Sequence, residues 1–441
     1  MIKSVSKAEK IKGIISLPGD KSISHRAMLL NAMSNGSALI SNFCHGDDRS
    51  AMINCLNGLG VNIEKIQSND SEYPNDTFLV EGNSNGDFSI PTRVLDAGNS
   101  GTTFRLVSGL LATQNFESTI SGDNSLRNRP MGRIIQPLTK MGALITGMKN
   151  NSFAPLKIRG GNLSGIEYTM PVASAQVKSC IMIAGTKASG STTIIQPKVS
   201  RDHTERMLKA MGAKISINNL TVEIKRSNLS ALDVTVPGDI SGAAFWMVLA
   251  SCHPNASITL KRVGLNPSRT GIIEVLNMMG ANIKLSNVVE EAGEPCGDIE
   301  IQSSELTGVD IEGEIIPRVI DEIPILALAA CFAKGQTIIK DAEELRIKES
   351  DRISATVNGL SKLGATLTET NDGMVISGNA KLIGAPVDTF NDHRIAMTMG
   401  IAGVLADGTT EINRSEANMI SYPSFWEQLS IVTGELEVSA H

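Results

Sequence analysis

Aromatic side chains are scarce in this chain of 441 residues: phenylalanine, tyrosine and tryptophan together make up 3% of it. Rings therefore cannot fill the interior, and aliphatic side chains with closely packed helices must do so. A basic excess is also missing, with 40 Lys and Arg against 46 Asp and Glu and a formal net charge of −6. That excludes the basic stripe of a nucleic-acid surface, so any anionic ligand must be gripped locally. No apolar run approaches the roughly 20 residues of a membrane span. The richest is IPILALAACFA from Ile323, and the amino-terminal MIKSVSKAEKIKG has no apolar signal core. Cys44, Cys55, Cys180, Cys252, Cys296 and Cys331 are scattered without a CxxC pair. Zinc and redox sites are disfavoured, and free buried thiols in a reducing compartment are expected. These absences describe a cytoplasmic protein with neither a membrane nor a nucleic-acid partner, long enough for two to three domains.

What the chain does have is repetition. LGV at 59–61, MGA at 141–143, 211–213 and 279–281, and LGA at 363–365 each follow an amphipathic helical pattern and precede a short β-like run. Their glycines fit helix C-termini. Upstream of each lies a turn, an apolar helix of about three turns, a Gly- or Asn-containing break and a β-branched strand. Six such units, beginning near LPGDKS, VLDAGNSG, MPVASAQ, VPGDIS, VIDEIP and TFNDHR, account for almost the whole chain. Each reads as strand, helix, strand, helix, strand with a further strand possible, an α/β architecture. Pro18 to Asp20 and Pro237 to Asp239 repeat the phrase Pro-Gly-Asp. They are expected to divide the chain into a discontinuous domain, 1–19 with 241–441, and an inserted one, 20–240. The polar stretch SNDSEYPNDT at 68–77 reads as a surface loop.

The repeats differ most at the turns where helices begin. A helix N-terminus offers unpaired N–H groups and a dipole worth about 0.3–1 kcal/mol to a nearby anion. Burying a phosphate costs several kcal/mol, so cations must supplement the dipole. They stand at these turns: Lys21, Arg26, Arg105, Arg127, Arg129, Lys178, Arg201, Lys348, Arg352 and Arg394. The first stretch is not a Walker A loop, because Ile15 and Asp20 occupy the positions that need glycine. It presents a turn, the point cation Lys21, the hydroxyl of Ser22 and the guanidinium of Arg26; a capped helix with outward Lys and Arg is the alternative. GNSGTTFR would let a small anion approach the backbone at Gly101 and Thr102. Ser174 and Gln176 of SAQVK are neutral hydrogen-bonders, or parts of a capped helix start. Asp321 and Glu322 precede a very apolar helix, where burial favours proton acceptance; Asp321 as an ordinary N-cap is the other reading. In RIKESDR, Lys348 and Arg352 are four apart and share a helix face with Glu349 beside it, suiting either a dianion and proton transfer or surface ion pairs. His203 and His393 lack metal-ligand spacing, no serine sits in GxSxG, and no metal site is expected.

Taken in order, LPGDKSISHR, GNSGTTFR, RNRPMGR, MPVASAQVKS, RDHTE, NPSRTG, IDEIP, EELRIKESDR and NDHRIAM resemble the 5-enolpyruvylshikimate-3-phosphate synthases, or 3-phosphoshikimate 1-carboxyvinyltransferases, and most closely their second class. The resemblance runs from about residue 10 to about residue 430. It implies a two-domain inside-out α/β barrel of six βαβαββ units, three per domain, with the active-site cleft between the domains. The implied reaction transfers the enolpyruvyl group of phosphoenolpyruvate to the 5-hydroxyl of shikimate 3-phosphate and releases phosphate. It passes through a tetrahedral ketal and belongs to the shikimate pathway of aromatic amino acid biosynthesis. No cofactor is implied, and a monomer is expected.

Carried over by position, Lys21, Ser22, Arg26, Ser174, Ala175, Gln176, Arg201, Asp321 and Lys348 would bind shikimate 3-phosphate. Lys21, Gly101, Arg129, Gln176, Arg352 and Arg394 would bind phosphoenolpyruvate. Asp321 would accept the hydroxyl proton, with Lys21 and Lys348 supporting the chemistry and Glu349 a candidate for proton transfer at the methylene carbon. Ile420 stands where many members carry a lysine. An enolpyruvyl transferase acting on a UDP-amino sugar is the nearest rival, disfavoured by GDKSISHR. A clamp-like repeat protein without catalysis would show featureless turns or a basic face.

Overall fold

The computed structural model describes residues 1–66, 76–83 and 88–434; positions 68–75 of the expected surface loop lie outside the described residues. The chain divides into two compact units, Met1–Pro18 with Pro237–Val289 and Pro295–His441, and Gly19–Val236 with Glu290–Glu294. Among the described residues the strands form six small sheets, five of four strands and one of three.

The third repeat displays the unit most fully. Strand Glu167–Thr169 leads into helix Ala175–Gly185, strand Ser191–Ile195, helix His203–Ala210 and the strands Ile215–Asn218 and Thr221–Lys225. The two strands joined through the first helix are parallel, with Glu167 opposite Thr193. A helix is what a parallel crossover requires. The remaining pairs are antiparallel, Ser191 facing Lys225 and Ile215 facing Ile224. Residues alternate between buried and partly exposed along Ser191–Ile195, so one face of the sheet meets the core and the other meets water.

Two repeats take their first strand from far along the chain. Val234–Thr235 runs parallel to Ser37–Ser41, and Ile11–Ser16 runs parallel to Ala256–Gly264. The last repeat closes with Ile2–Ser6 antiparallel to Thr409–Asn413, which is itself parallel to Pro386–Asp388. This is the three-stranded sheet.

Helices fill the middle of each unit. In one, Lys21–Ala32, Gly101–Ala112 and Ala175–Gly185 are buried almost throughout; in the other, Ile240–Cys252, Ile323–Phe332 and His393–Leu405 are. Close approach substitutes for aromatic bulk. A Cβ on Gly109 would lie 2.5 Å from the carbonyl oxygen of Cys180 on the neighbouring helix, so this contact needs glycine. Rings are concentrated rather than spread. Phe245, Trp246, Tyr422, Phe425 and Trp426 meet mostly edge to face at centroid distances of 5.0–6.4 Å, and Trp246 Nε1 donates to the Tyr422 hydroxyl at 3.0 Å. Each ring pair adds about 0.5–1.5 kcal/mol beyond burial.

Gly60, Gly142, Gly212, Gly280 and Gly364, the repeated glycines, all adopt positive φ between 83° and 110° just past a helix end. An L side chain is strained there, which is why the phrase recurs. All six cysteines are free, five buried and Cys252 half-buried.

Candidate active site

Asp20 caps the first helix by accepting from the Ile23 N–H at 2.9 Å, which leaves Lys21 and Ser22 half-buried on the first turn. Arg26 lies one turn deeper and is only 3% exposed. Its Nε donates to Thr204 Oγ1 at 2.6 Å, Nη1 to the Ser22 carbonyl at 2.8 Å and Nη2 to Ser179 Oγ at 2.9 Å. Ser179 Oγ in turn donates to the Ala175 carbonyl at 2.6 Å. Arg26 thus ties the start of the first repeat to the start of the third, where Ser174 caps the helix and accepts from the Val177 N–H at 3.4 Å. Burial pulls the Arg26 pKa down to about 10 against the opposing pull of Glu205. Arg201 is half-buried immediately ahead of helix His203–Ala210.

Gly101 opens the second repeat's helix beneath two guanidinium groups. A Cβ there would meet Arg105 Nη1 at 3.0 Å and Arg129 Nη1 at 3.5 Å. Arg105 donates to Gln176 Oε1, and Gln176 Nε2 donates to Thr102 Oγ1 at 2.9 Å. Arg129 Nη2 donates to Asn99 Oδ1 at 2.9 Å. Burial, then repulsion by Arg129 and Arg133, lowers Arg105 to about 10. This is a local positive field within an acidic protein.

Lys178 departs from the expectation that every turn cation faces a ligand. Its Nζ is 2.5 Å from Glu205 Oε1, with the two side chains 1% and 2% exposed. It is an internal ion pair. Arg127 is an exposed charge bonded to Asn124 Oδ1 at 2.8 Å.

In the other unit, carboxylates and guanidiniums interleave at the helix starts. Asp321 is not the N-cap of Ile323–Phe332; Glu322 holds that position without a side-chain cap bond, and Pro324 removes one of the orphan N–H groups. Asp321 faces three guanidiniums instead of an apolar pocket. Arg352 Nη1 stands 3.5 Å from Oδ1, while Arg269 Nη1 and Arg394 Nη2 stand 3.7 and 3.9 Å from Oδ2. Ser241 donates to Glu322 and accepts from Arg269 Nη2 at 2.5 Å.

Arg352, 1% exposed, is held by Asp392 through Nε at 2.8 Å and by Glu349 through Nη2 at 2.6 Å. These carboxylates raise its pKa above the ordinary guanidinium value despite burial. Desolvation acts against Asp392, but Arg352 overrides it and holds the carboxyl below its ordinary range. The Arg394 guanidinium approaches Asp321 and Glu322 only at 3.9 and 3.8 Å, beyond hydrogen-bond reach. Lys348 and Arg352 do not share a helix face. Lys348 ends the 3-10 turn Glu343–Ile347 and pairs with Glu344 at 2.6 Å, whereas Arg352 starts a new helix behind the Asp351 cap.

Arg269, Ser241, Asp392 and Arg133 complete these clusters without having been assigned roles from sequence, and Arg105, a turn cation the resemblance left without a role, joins them. The motifs NPSRTG, VPGDIS and NDHR carried three of them, and their cluster partners lie 28 to 81 positions away. Among the described residues no group of three metal-binding side chains occurs, and no helix is long and apolar enough to cross a membrane.

Fold and clusters together define an α/β protein of repeated units with its charged side chains gathered where buried helices begin. The family model described as EPSP synthase (3-phosphoshikimate 1-carboxyvinyltransferase) matches residues 5–429, and the chain belongs to that family. It is 49% identical to the 3-phosphoshikimate 1-carboxyvinyltransferase of Bacillus cytotoxicus over 428 residues, covering 97% of this chain and 99% of the relative. The protein of the same name from Synechocystis is 48% identical, with 96% and 94% covered. The EPSP synthase structure from Acinetobacter baumannii superposes with a TM-score of 0.91 at 38% identity over the full length of both chains. A second structure of that protein gives 0.89 at 39% identity, with 98% and 97% covered.

Proposed function

We propose that the protein transfers the enolpyruvyl group of phosphoenolpyruvate to the 5-hydroxyl of shikimate 3-phosphate, releasing inorganic phosphate. The observation that carries this reading is the set of three guanidiniums around Asp321, a carboxylate base held among groups that can also receive anions. In the addition step, Asp321 takes the proton of the 5-hydroxyl as its oxygen bonds to C2 of phosphoenolpyruvate. A proton is delivered to C3, with Glu349 the candidate donor, giving a tetrahedral ketal. In the elimination step the C2–O bond to phosphate breaks, a proton leaves C3, and the enol ether remains on the 5-oxygen.

Arg394, Arg352, Arg129 and Lys21 would oppose the charge of phosphoenolpyruvate, with Gly101 and Gln176 beside it. Lys21, Ser22, Arg26, Ser174, Ala175, Gln176 and Arg201 would hold shikimate 3-phosphate, and Lys348 would support the reacting hydroxyl. Arg105, a turn cation given no part by the resemblance, would reinforce the positive field at Gly101. One turnover therefore requires groups from both parts of the chain to act on a single pair of substrates. The reading has the enzyme working as a cytoplasmic monomer without metal or organic cofactor.

The test mixes purified protein with both substrates and follows phosphate release. Release that requires both substrates supports the proposal. A folded protein that releases none, or releases it from phosphoenolpyruvate alone, overturns it.

A further inference from the structure

A cavity of about 450 Å³ lies within the unit Gly19–Val236 with Glu290–Glu294. It sits at the opposite end of the central helices from Lys21, Gly101 and Ser174. Met33 and Thr113 on its wall are the C-caps of helices Lys21–Ala32 and Gly101–Ala112, and Lys187 follows Thr186, the C-cap of Ala175–Gly185. Helices of this length put about 16–18 Å between the two ends.

Lys187 and Arg226 both border the cavity. Among the described residues neither side chain has an ion pair or a hydrogen bond. At the adjoining helix ends, Thr186 Oγ1 donates to the Ile183 carbonyl and Thr113 Oγ1 to the Leu110 carbonyl, each at 2.7 Å. Two like charges on one cavity wall repel, and Lys187 is half-buried as well. Burial first and Arg226 second hold its pKa below the ordinary lysine value. Gln114, Asn115 and Asn162 add amide groups to the wall, and Leu110 and Leu163 add apolar surface. The volume falls in the range of small-ligand pockets, about 300–1,000 Å³, and exceeds the needs of a lone inorganic ion.

We infer that this cavity is a second ligand site, taking a small organic anion whose carboxylate or phosphate lies between Lys187 and Arg226 and whose other polar groups meet the amides. An anion there replaces a like-charge repulsion with two charge-assisted contacts.

Equilibrium dialysis with citrate and, separately, inorganic phosphate tests this on the full chain. Wild-type protein is compared with K187Q/R226Q and with the exposed-site single variant R226Q. The double variant should bind one citrate fewer per chain, R226Q should weaken that event about tenfold, and turnover should stay within twofold of wild type. Citrate should also raise the wild-type unfolding temperature more than that of the double variant. Identical citrate isotherms in the three proteins would overturn the inference. Phosphate binding at these cations without citrate binding would overturn the assignment to an organic anion.

Discussion

The internal pair of Lys178 and Glu205 gives a demanding quantitative test, because its two halves should not be equivalent. At 2.5 Å the charges attract by about 6–7 kcal/mol at an effective dielectric constant near 20, most of it offset by desolvating both groups. Removing one partner of such a pair costs about 3–5 kcal/mol when the other is left buried and uncompensated. Glu205→Leu does that to Lys178, whose remaining contact is the Ser200 carbonyl at 3.3 Å, and it also strips Arg26 of its strongest opposite charge. Lys178→Met leaves Glu205 still facing Arg26 and should cost about 1–2 kcal/mol less. At roughly 2–4 °C per kcal/mol for a unit of this size, Glu205→Leu lowers the unfolding temperature by about 6–20 °C. The double replacement should recover part of that loss. Thermal and urea unfolding followed by circular dichroism measure all three variants. Equal costs below about 0.5 kcal/mol would refute the reasoning, since the pair would then behave as a solvated one. So would a Lys178→Met protein of unchanged stability that fails to bind substrate, which would make Lys178 a ligand contact.

Asp321→Ala should lower kcat by about 10²–10⁴-fold with little change in KM, the range for loss of a positioned base. Arg26→Ala should mainly raise the KM for shikimate 3-phosphate; steady-state kinetics would show the assignments wrong if the two patterns were exchanged. Gly101→Ala should fold, because the nearest clash is with the movable end of Arg105, yet raise the KM for phosphoenolpyruvate about tenfold; an unchanged KM would remove Gly101 from the site. His393 is held near 4 by burial and by Arg394, below its ordinary 6.5. The unfolded chain therefore binds a proton that folded His393 refuses, so its contribution to stability is full above about pH 6.5. About 3 kcal/mol is lost as pH falls from there towards 4. Chemical denaturation across that window should show a shallower acid decline in His393→Gln, and an identical slope would contradict the assignment.

Local rules carried much of the architecture. The recurring MGA phrase is readable because a helix ended by glycine at positive φ leaves the same trace each time, and apolar helices such as Ile323–Phe332 announce their burial. Pairings across the chain left no such trace. Arg269 meets Asp321 from 52 positions away, and Asp392 holds Arg352 from 40; no periodicity encodes either. Lys178 resembled the other turn cations until packing placed Glu205 against it. The break between Lys348 and Arg352 turned on Asp351 serving as a cap, one of several polar residues in that stretch able to do so. Strand Val234–Thr235 completes a sheet begun near residue 37, a consequence of where the chain crosses between its two units.

The most direct measurement of the central claim follows the transferred carbons. Phosphoenolpyruvate labelled with ¹³C at C2 and C3, incubated with the enzyme and shikimate 3-phosphate, should pass its label to an enol ether on the 5-oxygen, with one phosphate released per ether formed. Label remaining in phosphoenolpyruvate or appearing as pyruvate, with the protein folded and both substrates present, would contradict it.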